Sequence, residues 1–400
     1  ALAKRAGVKR VERLRVYERL TKTSGPAIGA KTVWGTRTTG FDGEGLRIAV
    51  IDSGLDYTHA MFGGAGTKEA YQTNDATKVE EGTFPTDKVD GWDFAGKDYA
   101  GEDDEPLPDG DPLDRSGYGH GTVVAGIVGG VGVTNKGRPY EGDYFAGLDY
   151  SEFSLRPGVA PKAKLFALKI YGDNALGTSN LTLDALEWCV DPNANNEFSD
   201  RMDVVNLSIG SNSLGLEEKH EIESEAFINL TFLGCVVVGA AGNLNNNNFY
   251  LISAPAVERS VIAVGSAKLV EKTYRMASRS ARGPSSPYSL LKPELIAPGE
   301  LIQSARMGTG TGGAPVVAGS RLLVTFGTLS ATMMQALDTT IANVALPTMT
   351  SSIAAGSRPL HFSTAAFRIA ARRVSGRVSF SVPRLPLPMA LRTAATMTGS

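Results

Sequence analysis

Five short runs of mostly apolar residues recur along the chain, at 47–51, 164–170, 204–208, 235–239 and 260–264. Runs of this length without polar alternation suit strands buried on both faces. Between them lie stretches of helical character, chiefly 119–130, 181–190 and 217–233. Strand and helix alternate, which predicts an α/β fold, a parallel sheet with helices on both faces. Sheets of that kind meet their ligands at the carboxyl ends of the strands. Residues 63–118 are rich in Gly, Asp and Pro and read as long surface loops.

The two ends have a different texture. Residues 1–25 form a basic segment with seven Lys and Arg in the first twenty positions and a Thr23-Ser24-Gly25-Pro26 turn cluster. The segment has no apolar core of the secretory kind and is not read as a signal peptide. Between 322 and 357 the only charge is Asp338, a stretch long enough to raise the question of a membrane contact. Residues 358–400 are rich in Arg, Ala, Ser and Thr without a sustained period, and are expected to be disordered.

Charge sharpens that division. Residues 1–300 carry 31 basic and 41 acidic side chains, whereas 301–400 carry nine Arg, no Lys and one acid. The net charge of -2 excludes nucleic-acid binding driven by bulk charge. Cys189 and Cys235 both lie in apolar runs. Buried free thiols and a disulfide are both compatible with that placement.

Three motifs carry candidate chemistry. Val50-Ile51-Asp52-Ser53-Gly54 places an acid at the end of an apolar strand, where it can orient an imidazole or cap the next turn. Ser116-Gly117-Tyr118-Gly119-His120-Gly121-Thr122 sets a histidine between glycines at the start of a small-residue helix. Imidazole there suits general-base work, and the backbone can approach a ligand closely. Val237-Val238-Gly239-Ala240-Ala241-Gly242-Asn243 delivers a carboxamide after a glycine turn. It can hold a developing oxyanion or simply occupy a left-handed turn beside Asn245–Asn248.

In this order and context, Asp52, His120 and Asn243 resemble the subtilisin-like (subtilase) serine protease family. Further stretches agree: Tyr57-Thr58-His59, Gly158-Val159-Ala160-Pro161, Val204-Val205-Asn206-Leu207-Ser208-Ile209-Gly210, Ser280-Ala281-Arg282-Gly283-Pro284 and Lys292-Pro293-Glu294-Leu295-Ile296-Ala297-Pro298-Gly299. The resemblance covers roughly 25–300 and implies a peptidase domain over 26–317. It implies that Asp52 orients His120, that His120 is the base, and that Asn243 holds the oxyanion. Ser208, Ile209 and Gly210 would pair edge-on with an extended polypeptide substrate, and Gly239, Ala240 and Gly242 would line the same cleft. It implies an extracellular monomer with no organic cofactor. No metal ligand is assigned, although calcium is common in the family and the acidic loop from Asp103 to Asp114 is the candidate host, a solvated loop being the alternative. Residues 1–25 resemble the tail of the family's inhibitory propeptide, with a basic surface helix as the alternative.

The pattern breaks after Gly299. Where the family has G-T-S-M-A-x-P-x-V-A-G, this chain reads Gly308-Thr309-Gly310-Thr311-Gly312-Gly313-Ala314-Pro315-Val316-Val317-Ala318-Gly319. Aligning Pro315–Gly319 puts Thr311 at the nucleophile position, where its extra methyl crowds rotamer and attack line. Ser320 and Ser330 lack the needed surroundings, so the expectation is that no nucleophile is present. Residues 318–356, with Leu337-Asp338-Thr339-Thr340-Ile341-Ala342-Asn343-Val344-Ala345-Leu346-Pro347, resemble the first helix of a major-facilitator drug–proton antiporter. One helix cannot rock two repeats about a shared site. The chain is therefore read as a chimera joined near 310–320, with an inactive subtilisin-like domain and an unrelated C-terminal segment. A non-catalytic peptide-binding module and a membrane-anchored protein are the alternatives.

Overall fold

The computed structural model describes residues 18–19, 28–36, 40–101, 103–117, 119–174, 179–211, 221–243, 249–270, 273–286, 289–299 and 303–315. The rest of the basic segment, Ser320, Ser330, the segment at 318–357 and the tail at 358–400 lie outside the described residues. No described helix is long and apolar enough to cross a membrane.

The strands in chain order are β1 (Glu18–Arg19), β2 (Arg47–Asp52), β3 (Val89–Asp93), β4 (Val133–Thr134), β5 (Phe153–Leu155), β6 (Lys164–Lys169) and β7 (Val204–Leu207). Then come β8 (Ile209–Gly210), β9 (Val236–Ala240), β10 (Val261–Val270), β11 (Thr273–Met276), β12 (Leu295–Pro298), β13 (Gln303–Ala305) and β14 (Gly313–Pro315). The α-helices are α1 (Ala30–Val33), α2 (Lys68–Thr73), α3 (His120–Gly129), α4 (Thr182–Val190) and α5 (Glu221–Phe232).

The main sheet has eight strands in the order β11-β10-β9-β7-β2-β6-β3, with β12 also paired to β10. All pairings are parallel except β10–β11. From β2 the sheet extends through β6 to β3 at one edge and through β7, β9 and β10 on the other side. This reversal places a crevice at the carboxyl end of β2.

The unbroken apolar run of β2 now has its reason. Ile48 and Val50 join the core that holds Val124, Ala125 and Val128 of α3. Ala49 and Ile51 join the opposite core, with Leu183 and Leu186 of α4 and Phe227 and Leu230 of α5. Both faces are dry, so alternation has no role.

The expected strands and helices form, with two corrections. The 260–264 strand runs on to Val270. The loop region 63–118 contains α2 and a sheet strand, β3. Its sequence, Val-Asp-Gly-Trp-Asp, hides it, because two acids and a glycine disguise the alternation. Gly91 sits at φ 144, where a Cβ would lie 2.0 Å from the Ala167 carbonyl oxygen, so only glycine lets β3 pair with β6.

Candidate active site

Asp52 ends β2 and His120 begins α3, and both are fully buried. His120 Nδ1 lies 2.6 Å from Asp52 Oδ1. A carboxylate can only accept, so Nδ1 carries the proton of this contact, and the lone pair of a neutral imidazole would lie on Nε2. The Ser53 N–H donates to the same Oδ1 at 2.7 Å, fixing the carboxylate from the other side. Among the described residues Nε2 of His120 has no hydrogen-bond partner, and neither does Asp52 Oδ2.

The helix can start there because of how closely two backbones meet. A Cβ at Gly121 would lie 2.1 Å from the Gly54 carbonyl oxygen, and Gly54 itself takes φ 98. Gly119 takes the left-handed conformation at the N-cap and offers no side-chain cap. The exposed helical N–H groups are satisfied instead by Ser53 Oγ, which accepts from Gly121 at 2.9 Å, and by Asp114, which accepts from Thr122 at 3.2 Å.

Asn243 follows β9 at the same edge of the sheet. Val50, Asn206 and Val238 are level across β2, β7 and β9, so the chain beyond β9 emerges one strand removed from Asp52. Gly242 takes φ 114, and a Cβ there would lie 2.3 Å from Ser253 Oγ. The Ala281 N–H donates to the Gly242 carbonyl at 2.9 Å. Oδ1 of Asn243 and of Asn206 are buried without a hydrogen-bond partner among the described residues. Several polar atoms without partners thus collect at the carboxyl ends of β2, β7 and β9, where buried polar groups are otherwise nearly always satisfied.

Ser208 and Ile209 are fully buried and Gly210 ends β8. That edge is occupied: β1 pairs with it antiparallel, Glu18 opposite Gly210 and Arg19 opposite Ile209. Gly239 and Ala240 close β9, with room for a Cβ at Gly239 limited by Val261 at 3.0 Å.

Thr311 is not brought to His120. Residues 306–312 close the β13–β14 hairpin, in which Ser304 faces Ala314. The turn is docked on the loop after β2. Gly308 N–H donates to Asp56 Oδ2 at 2.9 Å, Ala60 N–H to the Gly310 carbonyl at 2.8 Å, and His59 Nε2–H to the Gly312 carbonyl at 3.0 Å. The Thr311 methyl faces Gly66 and Gly137, 3.4 and 3.7 Å from where their Cβ atoms would be. Gly313–Pro315 is a strand and not the start of a buried helix. Hairpin register, which sequence alignment with the protease motif ignores, decides the position of Thr311. Burial holds the His59 imidazole below its ordinary titration range, opposed by its bond to Gly312. Its neutral Nδ1 accepts from the Met61 N–H at 3.0 Å.

The acidic loop does not fit a shared calcium ion. Asp111 accepts from the Tyr57 hydroxyl at 2.9 Å, and Asp114 accepts from Ser116 Oγ at 2.6 Å and Thr122 Oγ1 at 2.8 Å. Asp104 accepts from the Ala100 and Glu105 N–H groups. Among the described residues no group of acidic, His or Cys side chains is arranged to hold a metal. Sequence reading took Asp114 for a loop acid, although Ser53 and Thr122 stand inside the quoted motifs. Cys189 and Cys235 are both free and buried.

The same loop makes stability depend on pH. Burial, and after it the charge of Asp93, raises the Asp109 carboxyl from 3.8 to about 7. The native state then binds this proton more tightly than the unfolded state, so stability is expected to fall between about pH 4 and pH 7. Asp109→Asn is expected to remove about 1 kcal/mol of that fall, a figure reduced for solvent screening. Urea midpoints for both proteins at pH 5 and pH 8 check this, and parallel pH curves would refute it.

A parallel sheet with an Asp–His pair at its central carboxyl edge defines a hydrolase scaffold of the subtilisin type. The profile of the Subtilase family matches residues 43–349, and the chain belongs to that family. It is 28% identical to the minor extracellular protease Vpr of Bacillus subtilis (strain 168) over 251 residues, 63% of this chain and 24% of that one. It is 28% identical to serine protease AprX of the same strain, over 57% of this chain and 46% of that one. For subtilisin E the identity is 28%, over 71% of this chain and 56% of that one. The chain thus spans between 24% and 56% of the length of these relatives. Among solved structures it shares its fold with the S41 psychrophilic protease (TM-score 0.50, 21% identity, 85% of this chain and 86% of that one). Sphericase shares it too (TM-score 0.50, 20% identity, 85% and 87%).

Proposed function

We propose that this chain is a subtilisin-like serine endopeptidase domain in which the acid–base pair is assembled and the nucleophile is missing, so that it does not turn over peptide bonds as written. The observation that carries this reading is His120 Nε2, buried beside Asp52 with no hydrogen-bond partner among the described residues, Thr311 included. In an intact member of the family, His120 would take the proton of a serine hydroxyl, Asp52 would hold the imidazolium, and Asn243 with a backbone N–H would stabilise the oxyanion. Loss of the nucleophile costs about a million-fold in turnover, and the groups that remain give about a thousand-fold over water.

The substrate class is extended polypeptide, bound by strand addition at Ile209–Gly210. The antiparallel seat of Glu18–Arg19 on that edge supports the reading. It also supports a propeptide-like role for the basic segment, which a chain without a nucleophile cannot cleave from itself. The same pairing favours the second reading, a non-catalytic module that holds peptides without cutting them. An extracellular location is carried over from the relatives, one of which is named as an extracellular protease. The family match runs on to residue 349, past a junction at 310–320, so an unrelated segment after 317 is favoured only by the charge composition of residues 301–400.

A serine-directed fluorophosphonate tests the reading. No stoichiometric labelling is expected for the chain, nor for Thr311→Ser, because this position is docked beside Gly66 and Gly137. Stoichiometric labelling of either protein, or a Thr311→Ser turnover above the parent, would overturn it.

A further inference from the structure

Asp114 is a fully buried carboxylate at the meeting point of the two segments that carry Asp52 and His120. Its Oδ1 accepts from Ser116 Oγ at 2.6 Å and the Ser116 N–H at 3.2 Å. Its Oδ2 accepts from Thr122 Oγ1 at 2.8 Å and the Thr122 N–H at 3.2 Å. Ser53 Oγ sits 3.3 Å from both oxygens. Two of these partners lead straight to the acid–base pair. Ser53 adjoins Asp52 and accepts the Gly121 N–H, while Thr122 lies two residues after His120 and accepts the Asp56 N–H at 3.0 Å.

The arrangement replaces the cap that Gly119 cannot supply. An anion at the first turn of a helix is favoured by the aligned peptide dipoles. Here that anion comes from a preceding loop, and it grips the β2 turn with its second set of bonds. From this geometry we infer that Asp114 is the positioning residue of the site: it clamps the Ser53 turn to the first turn of α3 and thereby holds the His120 ring against Asp52. It touches neither ring nor substrate and acts through Ser53 and Thr122. The inference rests on the Asp52–His120 pair of the proposed function.

The test is proton NMR of the full chain at neutral pH, reading the slowly exchanging, low-field N–H of His120, identified by its disappearance in Asp52→Ala. In Asp114→Asn its exchange with solvent is expected to quicken about tenfold or more, because a charge-assisted bond to the helix start is lost. Asp111→Asn serves as the comparison. It removes another fully buried carboxylate of the same loop, bonded to Tyr57, and is expected to lower the urea midpoint without moving the His120 signal. If Asp114→Asn does not fold, Thr122→Val, which deletes one arm of the clamp, is expected to quicken exchange in the same direction. A His120 signal unchanged in both Asp114→Asn and Thr122→Val overturns the clamp alone. A parent chain without the signal overturns the Asp52–His120 pairing, and the clamp with it.

Discussion

Gly121→Ala is expected to destabilise the domain by about 3 kcal/mol or more and to dissolve the Asp52–His120 contact in whatever fraction still folds. The added methyl would lie 2.1 Å from the Gly54 carbonyl oxygen, where ordinary contact begins at 3.4 Å, so the two backbones must part by about 1.3 Å. Neither side can yield cheaply. Behind Gly54 stands the Pro112 carbonyl, already 2.4 Å from where a Gly54 Cβ would be. On the other side, α3 is packed through Val124, Ala125 and Val128 against the sheet. A helix pushed out by that distance takes His120 Nδ1 out of reach of Asp52 Oδ1, now 2.6 Å away. Urea denaturation followed by tryptophan fluorescence measures the first effect, and loss of the low-field imidazole proton the second. A variant within 1 kcal/mol of the parent, with that proton intact, would show that the close approach is not rigid.

Gly121 also marks where sequence is a good guide. The His120 motif could be read because its requirements are local: a glycine for the close backbone, a small-residue helix, an imidazole at its start. β2 was legible for a similar reason, since a strand dry on both faces must be apolar throughout. β3 was not, because Asp93 is tolerated through the Ala95 and Gly96 N–H groups and an ion pair with Lys169 on the neighbouring strand, far along the chain. Asp114 escaped for the same reason, because a carboxylate in a Gly- and Asp-rich loop looks solvated until its partners at Ser53 and Thr122 are known. Thr311 was misdirected by aligning Pro315–Gly319 with the family's nucleophile motif. The β13–β14 register and the bonds from Asp56, His59 and Ala60 decide its place, and none of these is visible in the local sequence.

Lys169 yields the other large effect. Its ammonium is fully buried, 2.8 Å from Asp93 Oδ2 in an ion pair and 3.0 Å from Asp173 Oδ1, to which it donates. Burial works against this charge, yet Asp93 and Asp173 prevail and hold the ammonium above its ordinary range. Asp93 is in turn raised, first by burial, despite Lys169 and the Ala95 and Gly96 N–H groups. Lys169→Ala would leave the Asp93 carboxylate buried without its cation, and is expected to cost about 3–5 kcal/mol at pH 8. Protonation offers a partial escape, because a neutral carboxyl is far cheaper to bury than a charged one. The penalty is therefore expected to shrink at pH 5, where the raised Asp93 and Asp109 carboxyls take up protons more readily. Lys169→Met with Asp93→Leu, which removes both charges, is expected to recover more than half of the loss, since isosteric apolar pairs often replace buried ion pairs without penalty. Urea midpoints of the three proteins at pH 5 and pH 8 decide it. A Lys169→Ala penalty that is equal at both pH values would mean that the cost is lost packing around the lysine stem and not an uncompensated charge.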